Sequence, residues 1–331
     1  MRIVWLALWA VGLALPPTAT AQESVPGTPF RSYSTRDTLH RPIRFFLAGA
    51  RVAAHPLPLV VWIQGTGCSS LFGKEGDRIT QGPQILVHEA VSGRALVLAV
   101  DKPGVEFLDE QANAGDSSTC RPEFLREHTL DRWTAAVAAA IQAAQRLPGV
   151  DRSRTLVIGA SEGGIVAARV SNVLRSVTHA ASLSGGGPVH LFDLAEYVRR
   201  RGLDVDQEVY GCWREILRDP DSTTRFCWGH PYRMLSSFMK TSLAEECLRS
   251  RAKLYLVHGT ADEQNFVAGF DVLRAELAAH RVDAVFERID GADHALDRPG
   301  QSPPEGLVDV LGRILAWFLP STTGAVPSQR P

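Results

Sequence analysis

Thr155-Leu156-Val157-Ile158-Gly159-Ala160-Ser161-Glu162-Gly163-Gly164 is the stretch on which the reading of this 331-residue chain turns. Thr155–Ile158 is short and rich in β-branched and aliphatic residues, as a buried strand should be. Ile165-Val166-Ala167-Ala168 opens a helical pattern. Between them, Gly159-Ala160-Ser161-Glu162-Gly163 fits G-x-S-x-G. In a strand–turn–helix, that pattern puts the serine on a tight, strained turn with its hydroxyl held out at the carboxyl edge of a sheet. Glycines are needed two residues to either side because a Cβ there would collide with the adjoining strand or helix. The hydroxyl then sits above a helix amino end, whose free N–H groups and partial positive charge suit an oxyanion. The five-residue pattern alone is weak. Its meaning depends on whether the rest of the chain supplies a base, an acid and an oxyanion site.

The surroundings alternate. Short apolar strands are expected at Leu57–Ile63, Ala95–Val100, Ala180–Leu183, Lys253–Val257 and Ala284–Ile289. Helices are expected over Ile79–Val91, Phe124–Leu147, Ile165–Leu174, Phe266–His280 and Leu307–Phe318, with an antiparallel hairpin over Phe30–Gly49 and an irregular loop over Pro103–Arg121. Alternating strands and helices imply an α/β domain with a mostly parallel central sheet and helices on both faces. Sites in such sheets lie at the carboxyl ends of the strands. From 188 to 250 the rhythm breaks into mixed charge and aromatics. This segment reads as an inserted, mainly helical cap over a core formed by 22–187 and 251–320.

The chain carries 35 Lys and Arg against 36 Asp and Glu, a formal charge of −1. A near-neutral chain with scattered signs has no electrostatic footprint for nucleic acid or an anionic membrane. Met1–Ala21 has the anatomy of a secretory signal peptide: Arg2, the apolar Ile3–Leu15, and the small-x-small site Ala19-Thr20-Ala21. The apolar run is well short of the ~20 residues a spanning helix needs, so a stable membrane anchor is not expected. The mature chain is expected to be periplasmic or secreted, with 321–331 a disordered tail. Export implies an oxidising compartment, so the five cysteines (Cys68, Cys120, Cys212, Cys227, Cys247) suggest disulfides with one thiol left over. No spacing is C-x-x-C and no His/Cys cluster resembles a metal site, so neither metal nor cofactor is expected. The expected partner is a small-molecule or peptide substrate.

With these elements in place, the chain resembles the α/β-hydrolase family over nearly all of the mature sequence outside the insertion. The resemblance rests on motifs in the order nucleophile, acid, base. Gly159–Gly163 is the elbow. Leu256-Val257-His258-Gly259-Thr260-Ala261-Asp262 is similar to the family's strand–His-Gly-x-x-Asp segment. Gly291-Ala292-Asp293-His294 follows the last strand, where the family places its histidine. The resemblance implies acyl transfer by Ser161, with His294 as base and Asp262 holding the imidazole. It also implies an oxyanion hole from the backbone N–H groups of Glu162 and Thr66, although Gln64 stands where the common His-Gly pattern has His. Asp262 has a bland alternative as a helix cap, Asp290 and Asp293 rank below it as the acid, and His258 reads as structural. His190 and His230 fall in or beside the cap, and the remaining lone histidines read as solvated. Glu162 reads as an ordinary first-turn carboxylate, with an anionic specificity group as the rival. Asp101-Lys102-Pro103-Gly104 matches an Asp-x-x-Gly turn whose usual role is structural. In the implied topology a Cys68–Cys120 disulfide braces the site, leaving one bridge and one free thiol for the cap cysteines. The cap aromatics Trp213, Phe226, Trp228, Tyr232 and Phe238 are expected to line an acyl or leaving-group pocket, Trp213, Trp228 and Tyr232 foremost, the alternative being that they form the cap's own small core. The expected activity is a serine carboxylesterase. The rivals are a prolyl-oligopeptidase-like peptidase, suggested by Ser161-Glu162-Gly163-Gly164, and a non-catalytic binding protein of the same fold.

Overall fold

The computed structural model describes residues 20–49, 55–113 and 115–319. Most of the expected leader and all of the expected tail lie outside them. Thr20 and Ala21, at the end of the expected leader, begin the first strand.

Strands β1 (Thr20–Ser24), β2 (Arg31–Arg36) and β3 (Pro42–Ala48) form an antiparallel meander, followed by β4 (Leu57–Ile63). A small hairpin of β5 (Phe72–Glu75) and β6 (Arg78–Gln81) leads into α1 (Gln84–Val91) and β7 (Leu96–Val100). After a loop come α2 (Pro122–Glu127), α3 (Leu130–Ala144), β8 (Val150–Ala160), α4 (Glu162–Val173) and β9 (His179–Leu183). The next segment holds α5 (Leu191–Arg200), α6 (Cys212–Arg218), the short pair β10 (Phe226–Cys227) and β11 (His230–Pro231), then α7 (Tyr232–Phe238) and α8 (Leu243–Arg249). The chain closes with β12 (Lys253–Gly259), α9 (Val267–Ala279), β13 (Ala284–Ile289) and α10 (Glu305–Phe318).

The large sheet has nine strands in the order β1-β2-β3-β7-β4-β8-β9-β12-β13. From β7 to β13 every pairing is parallel, and β3 joins β7 antiparallel. The β4, β7 and β8 segments are apolar on both faces because helices cover both. On one face α3, α4, α8 and α9 pack Trp133, Ile141, Val166, Cys247 and Leu273 against Leu59, Val61 and Val157. On the other face α1 and α10 pack Val87, Leu311 and Ile314 against Val60, Trp62 and Ile158. Each fully buried Val, Leu or Ile contributes about 1.5–3 kcal/mol from the area it removes from water, so the two layers hold the strand ends rigidly.

The structure departs from the sequence reading in two places that matter to the site. The helix expected over Ile79–Val91 begins only at Gln84, and Ile79 lies in the β5–β6 hairpin, where β-branched Ile79 and Thr80 suit a strand. The helix expected over Phe124–Leu147 is two helices. Thr129 is extended and its hydroxyl accepts a bond from Arg132 N, which starts α3 afresh and leaves His128 between the helices with its ring turned inward. Cys68 and Cys120 form a disulfide, as do Cys212 and Cys227, leaving Cys247 free and buried. No helix among the described residues is long and apolar enough to cross a membrane.

Candidate active site

β8 ends at Ala160, and Ser161 turns the chain into α4 with φ 52° and ψ −122°. A β-carbon on Gly159 would lie 1.9 Å from Gly163 O, and one on Gly163 would lie 2.5 Å from Ile63 O. Only glycine at both positions lets strand and helix approach this closely. The positive φ at Ser161 is strain held by the packing around it. Ser161 N donates to Leu183 O at 2.7 Å, and Gly164 N closes the turn on Ser161 O at 2.8 Å.

At the end of β12, Asp262 is buried, with none of its side chain exposed. Its Oδ1 accepts from Gln264 N at 2.8 Å and Asn265 N at 3.0 Å. Its Oδ2 meets His294 Nδ1 at 2.8 Å. The loops carrying acid and base are stitched together: Thr260 N donates to Ile289 O at 3.0 Å and Ala261 N to Ala292 O at 2.9 Å. The competing carboxylate Asp293 is engaged in its own turn, accepting from Ala295 N and Asp297 N. His258 is fully buried, donates from Nε2 to Asn265 O at 2.7 Å and lies 3.5 Å from Asp262 Oδ2. Burial lowers the pKa of His258, so the neutral ring supports the acid loop. Of the three sequence-derived triad positions, Asp262 and His294 are hydrogen-bonded. Among the described residues no hydrogen bond joins Ser161 to His294.

Ser161, Thr66 and Glu162 line one cavity of about 180 Å³ at the carboxyl ends of the strands. Thr66 sits in the loop after β4. That loop lies against the elbow, since a β-carbon on Gly65 would fall 3.2 Å from Ser161 Cβ. Glu162 is the first residue of α4, so its N–H is one of the helix's free amino-terminal donors. Of the expected cap contacts, Trp228 and Phe238 line the cavity, whereas Trp213, Phe226 and Tyr232 do not. Trp213 and Tyr232 pack with Ile216, Leu235 and Met239 in the cap's small core, which backs the cavity through Leu235 and Met239. The apolar wall is built by Ile165, Leu194, Met234, Phe238 and Leu243, from helices whose pattern alone gave no hint of which face meets the cavity.

Glu162 is in the first turn of α4, as its position suggested, but its side chain is turned inward. Its side chain is 8% exposed and Oε1 accepts from His128 Nε2 at 2.9 Å, where the His128 side chain is 1% exposed. Burial would raise the Glu162 pKa, but the hydrogen bond from His128 and the nearby charge of Lys102 outweigh it and hold the carboxyl below the usual carboxylate range. Burial lowers the His128 pKa, which leaves the ring neutral. The geometry agrees: His128 Nδ1 is buried without a partner, and a proton there would be a stranded donor. Lys102 is 2% exposed, and its Nζ donates to the carbonyls of Gly65 and Gly67, the latter at 2.6 Å. It lies over the Trp133 ring, 4.9 Å from the centroid. Burial pulls its pKa down to about 8. His230 lines the cavity and bonds Ser117 Oγ through Nδ1 at 2.8 Å. Sequence reading missed His128 because it fell inside an expected helix. The Thr129 capping position was the one available indication of the break. No group of three or more His, Cys, Asp or Glu among the described residues could hold a metal ion.

No family model matches the sequence, and no characterised protein matches it by sequence. Solved structures match by shape. A puromycin-hydrolysing peptidase of Mycobacterium tuberculosis is 16% identical with a TM-score of 0.58, over 89% of this chain and 41% of its own. This chain therefore spans less than half the length of that peptidase. Est1E of Butyrivibrio proteoclasticus is 14% identical with a TM-score of 0.54, over 87% of this chain and 98% of its own. Acetyl xylan esterase 1 of Thermoanaerobacterium is 15% identical with a TM-score of 0.56, over 90% and 87%. Sheet order, covered faces, strand-end elbow and these shared shapes lead to one assignment: the chain has the α/β-hydrolase fold.

Proposed function

We propose that this chain is an exported serine hydrolase that cleaves carboxylic esters through an acyl-enzyme, with Ser161 as nucleophile, His294 as base and Asp262 as the acid that orients it. The observation that carries this reading is the 2.8 Å bond from His294 Nδ1 to Asp262 Oδ2, made at the same sheet edge as the strained Ser161 turn. With Nδ1–H committed to the carboxylate, Nε2 is the ring's basic nitrogen. Nε2 takes the Ser161 proton as Oγ bonds to the carbonyl carbon, and the electron pair moves onto the carbonyl oxygen. Thr66 N–H and Glu162 N–H receive that oxyanion, each such donor contributing about 3–4 kcal/mol to the transition state. The tetrahedral carbon collapses, the C–O bond to the alcohol breaks, and His294 returns the proton to the alcohol oxygen. Water repeats the sequence and releases the acid. The mechanism requires a hydrogen bond between Ser161 Oγ and His294 Nε2 in the substrate complex.

The segment from 188 to 250 acts as the cap, and the apolar wall from α5, α7 and α8 suits an acyl or alcohol group of limited size in a cavity of about 180 Å³. The esterase reading is favoured over a peptidase acting on free amino termini. Such an enzyme needs a carboxylate free for the substrate ammonium, and both carboxylates that line the cavity are engaged: Glu162 accepts from His128, while Asp193 accepts from Phe266 N at 2.9 Å and lies 3.6 Å from His190 Nδ1. Export is supported by two disulfides together with the leader-like residues 1–21. The test compares p-nitrophenyl esters of graded acyl length with aminoacyl p-nitroanilides. Faster ester hydrolysis with a burst equal to the enzyme concentration supports the proposal. A preference for anilides places the chain with the peptidases, and turnover of neither supports the binding-protein reading.

A further inference from the structure

Glu162 and Lys102 are costly residues to bury, and the triad uses neither side chain. Burying an ion without compensation costs several kcal/mol, so a pair kept under an active-site loop calls for a physical reason. Lys102 follows β7 and reaches under the loop after β4, where Nζ donates to Gly65 O and Gly67 O on either side of Thr66. A trans peptide is planar, with its N–H pointing opposite to its C=O. Fixing the Gly65 carbonyl toward Lys102 therefore turns the Thr66 N–H the other way, toward the cavity that Thr66 shares with Ser161. The Gly67–Cys68 unit, two along, is fixed as well, with Gly67 O on Lys102 and Cys68 N donating to Gln111 Oε1 at 3.1 Å. The Cys68–Cys120 disulfide anchors the loop just beyond.

The charge on Lys102 is offset in part from the other half of the oxyanion site, burial being the larger effect. Glu162, whose N–H is the second donor, lends it negative charge, and neutral His128 gives the carboxylate a hydrogen bond. The Trp133 face borders the ammonium on another side.

The geometry points to Lys102 as the positioning residue of the oxyanion site, clamping the peptide plane that aims Thr66 N–H, with the Glu162 carboxylate, which neutral His128 holds by a hydrogen bond, as its counter-charge. This rests on the proposed Ser161 mechanism. It gives Glu162 two tasks, a backbone donor to the reacting oxygen and a side chain that holds the loop's anchor.

A positioning role differs from a packing role in which kinetic quantity moves. The test uses the full-length protein with Lys102→Met, which keeps the length and apolar stem but cannot donate, and with Lys102→Arg, which keeps a cationic donor. Substrate turnover is read alongside inhibition by an alkyl trifluoromethyl ketone, whose adduct with a serine places an oxyanion in the same hole. In Lys102→Met, kcat and ketone affinity both fall, by up to about 100-fold as for loss of one oxyanion donor, while KM stays near wild type; Lys102→Arg recovers part of both. Unchanged kcat and ketone affinity in folded Lys102→Met, or equal losses in KM and kcat without selective loss of ketone binding, would overturn the inference. If Lys102→Met does not fold, Lys102→Arg is read alone: a loss shared by kcat and ketone affinity supports the clamp, and wild-type values for both refute it. A wild type that neither turns over esters nor binds the ketone refutes the Ser161 mechanism itself. A wild type that does both, with Lys102 variants that match it, refutes only the clamp.

Discussion

Replacing Asp262 with Asn keeps the heavy-atom shape and removes one charge, which isolates what the carboxylate does. Oδ1 accepts two backbone N–H groups, from Gln264 at 2.8 Å and Asn265 at 3.0 Å, while Oδ2 faces His294 Nδ1 at 2.8 Å. In Asp262→Asn the amide oxygen must take the Oδ1 place, because an NH₂ there would confront two donors at a cost of about 1–3 kcal/mol for each stranded group. The amide NH₂ then points at His294 Nδ1, which has to become the acceptor. The ring proton moves to Nε2, the atom that must receive the proton of Ser161. The same tautomer error in the well-studied serine-protease triad lowers kcat about 10,000-fold, or about 5 kcal/mol of barrier. The variant should fold like wild type, since a buried amide replaces a buried carboxylate of equal size. The assay is ester hydrolysis under saturating substrate, with near-UV circular dichroism as the fold control. A folded Asp262→Asn within about tenfold of wild-type kcat would refute the orientation argument.

Other consequences follow from the same geometry. Gly159→Ala puts a methyl 1.9 Å from Gly163 O, so the elbow must open; an overpacking loss of about 1–3 kcal/mol or more in urea unfolding, with Ser161 activity abolished, is expected. Cys68→Ser with Cys120→Ser opens a loop of 52 residues, which the chain-entropy relation values at about 4 kcal/mol, read as a lower denaturation midpoint. Lys102 has its pKa depressed from 10.5 to about 8 by burial, so between those values the unfolded chain holds the proton more often than the folded one. This group's contribution to stability therefore grows as pH rises from about 8 to 10.5 and is lost as pH falls through 8. The difference in unfolding free energy between wild type and Lys102→Met should show that slope, and a flat or opposite difference would contradict it.

The parallel sheet and the turn at Ser161 could be read from the sequence because each follows a local rule, whereas Asp262 and His294 were legible only through the resemblance to the α/β-hydrolase motifs. Apolar runs of strand length mark β4, β7 and β8, and glycines flank a turn that admits no Cβ. The cluster of Lys102, His128 and Glu162 follows no local rule. It joins the end of β7, the break before α3 and the start of α4, which only the packed sheet brings together. His128 was hidden by an alanine-rich helical pattern that continues across the break. Glu162 satisfied the first-turn preference for carboxylates, which concealed that its side chain turns inward. The cap aromatics were ambiguous for a related reason. Trp213, Trp228 and Tyr232 look alike in sequence, and the packing of α6 and α7 decides that only Trp228 meets the cavity.

The central claim is that Ser161 is a nucleophile activated by its surroundings. It is tested most directly by treating the folded protein with a fluorophosphonate and locating the adduct by peptide mass spectrometry. The account predicts a single stoichiometric phosphonyl group on the peptide containing Ser161, and no labelling of Ser161→Ala. An unlabelled wild type, or equal labelling of both proteins, would contradict it.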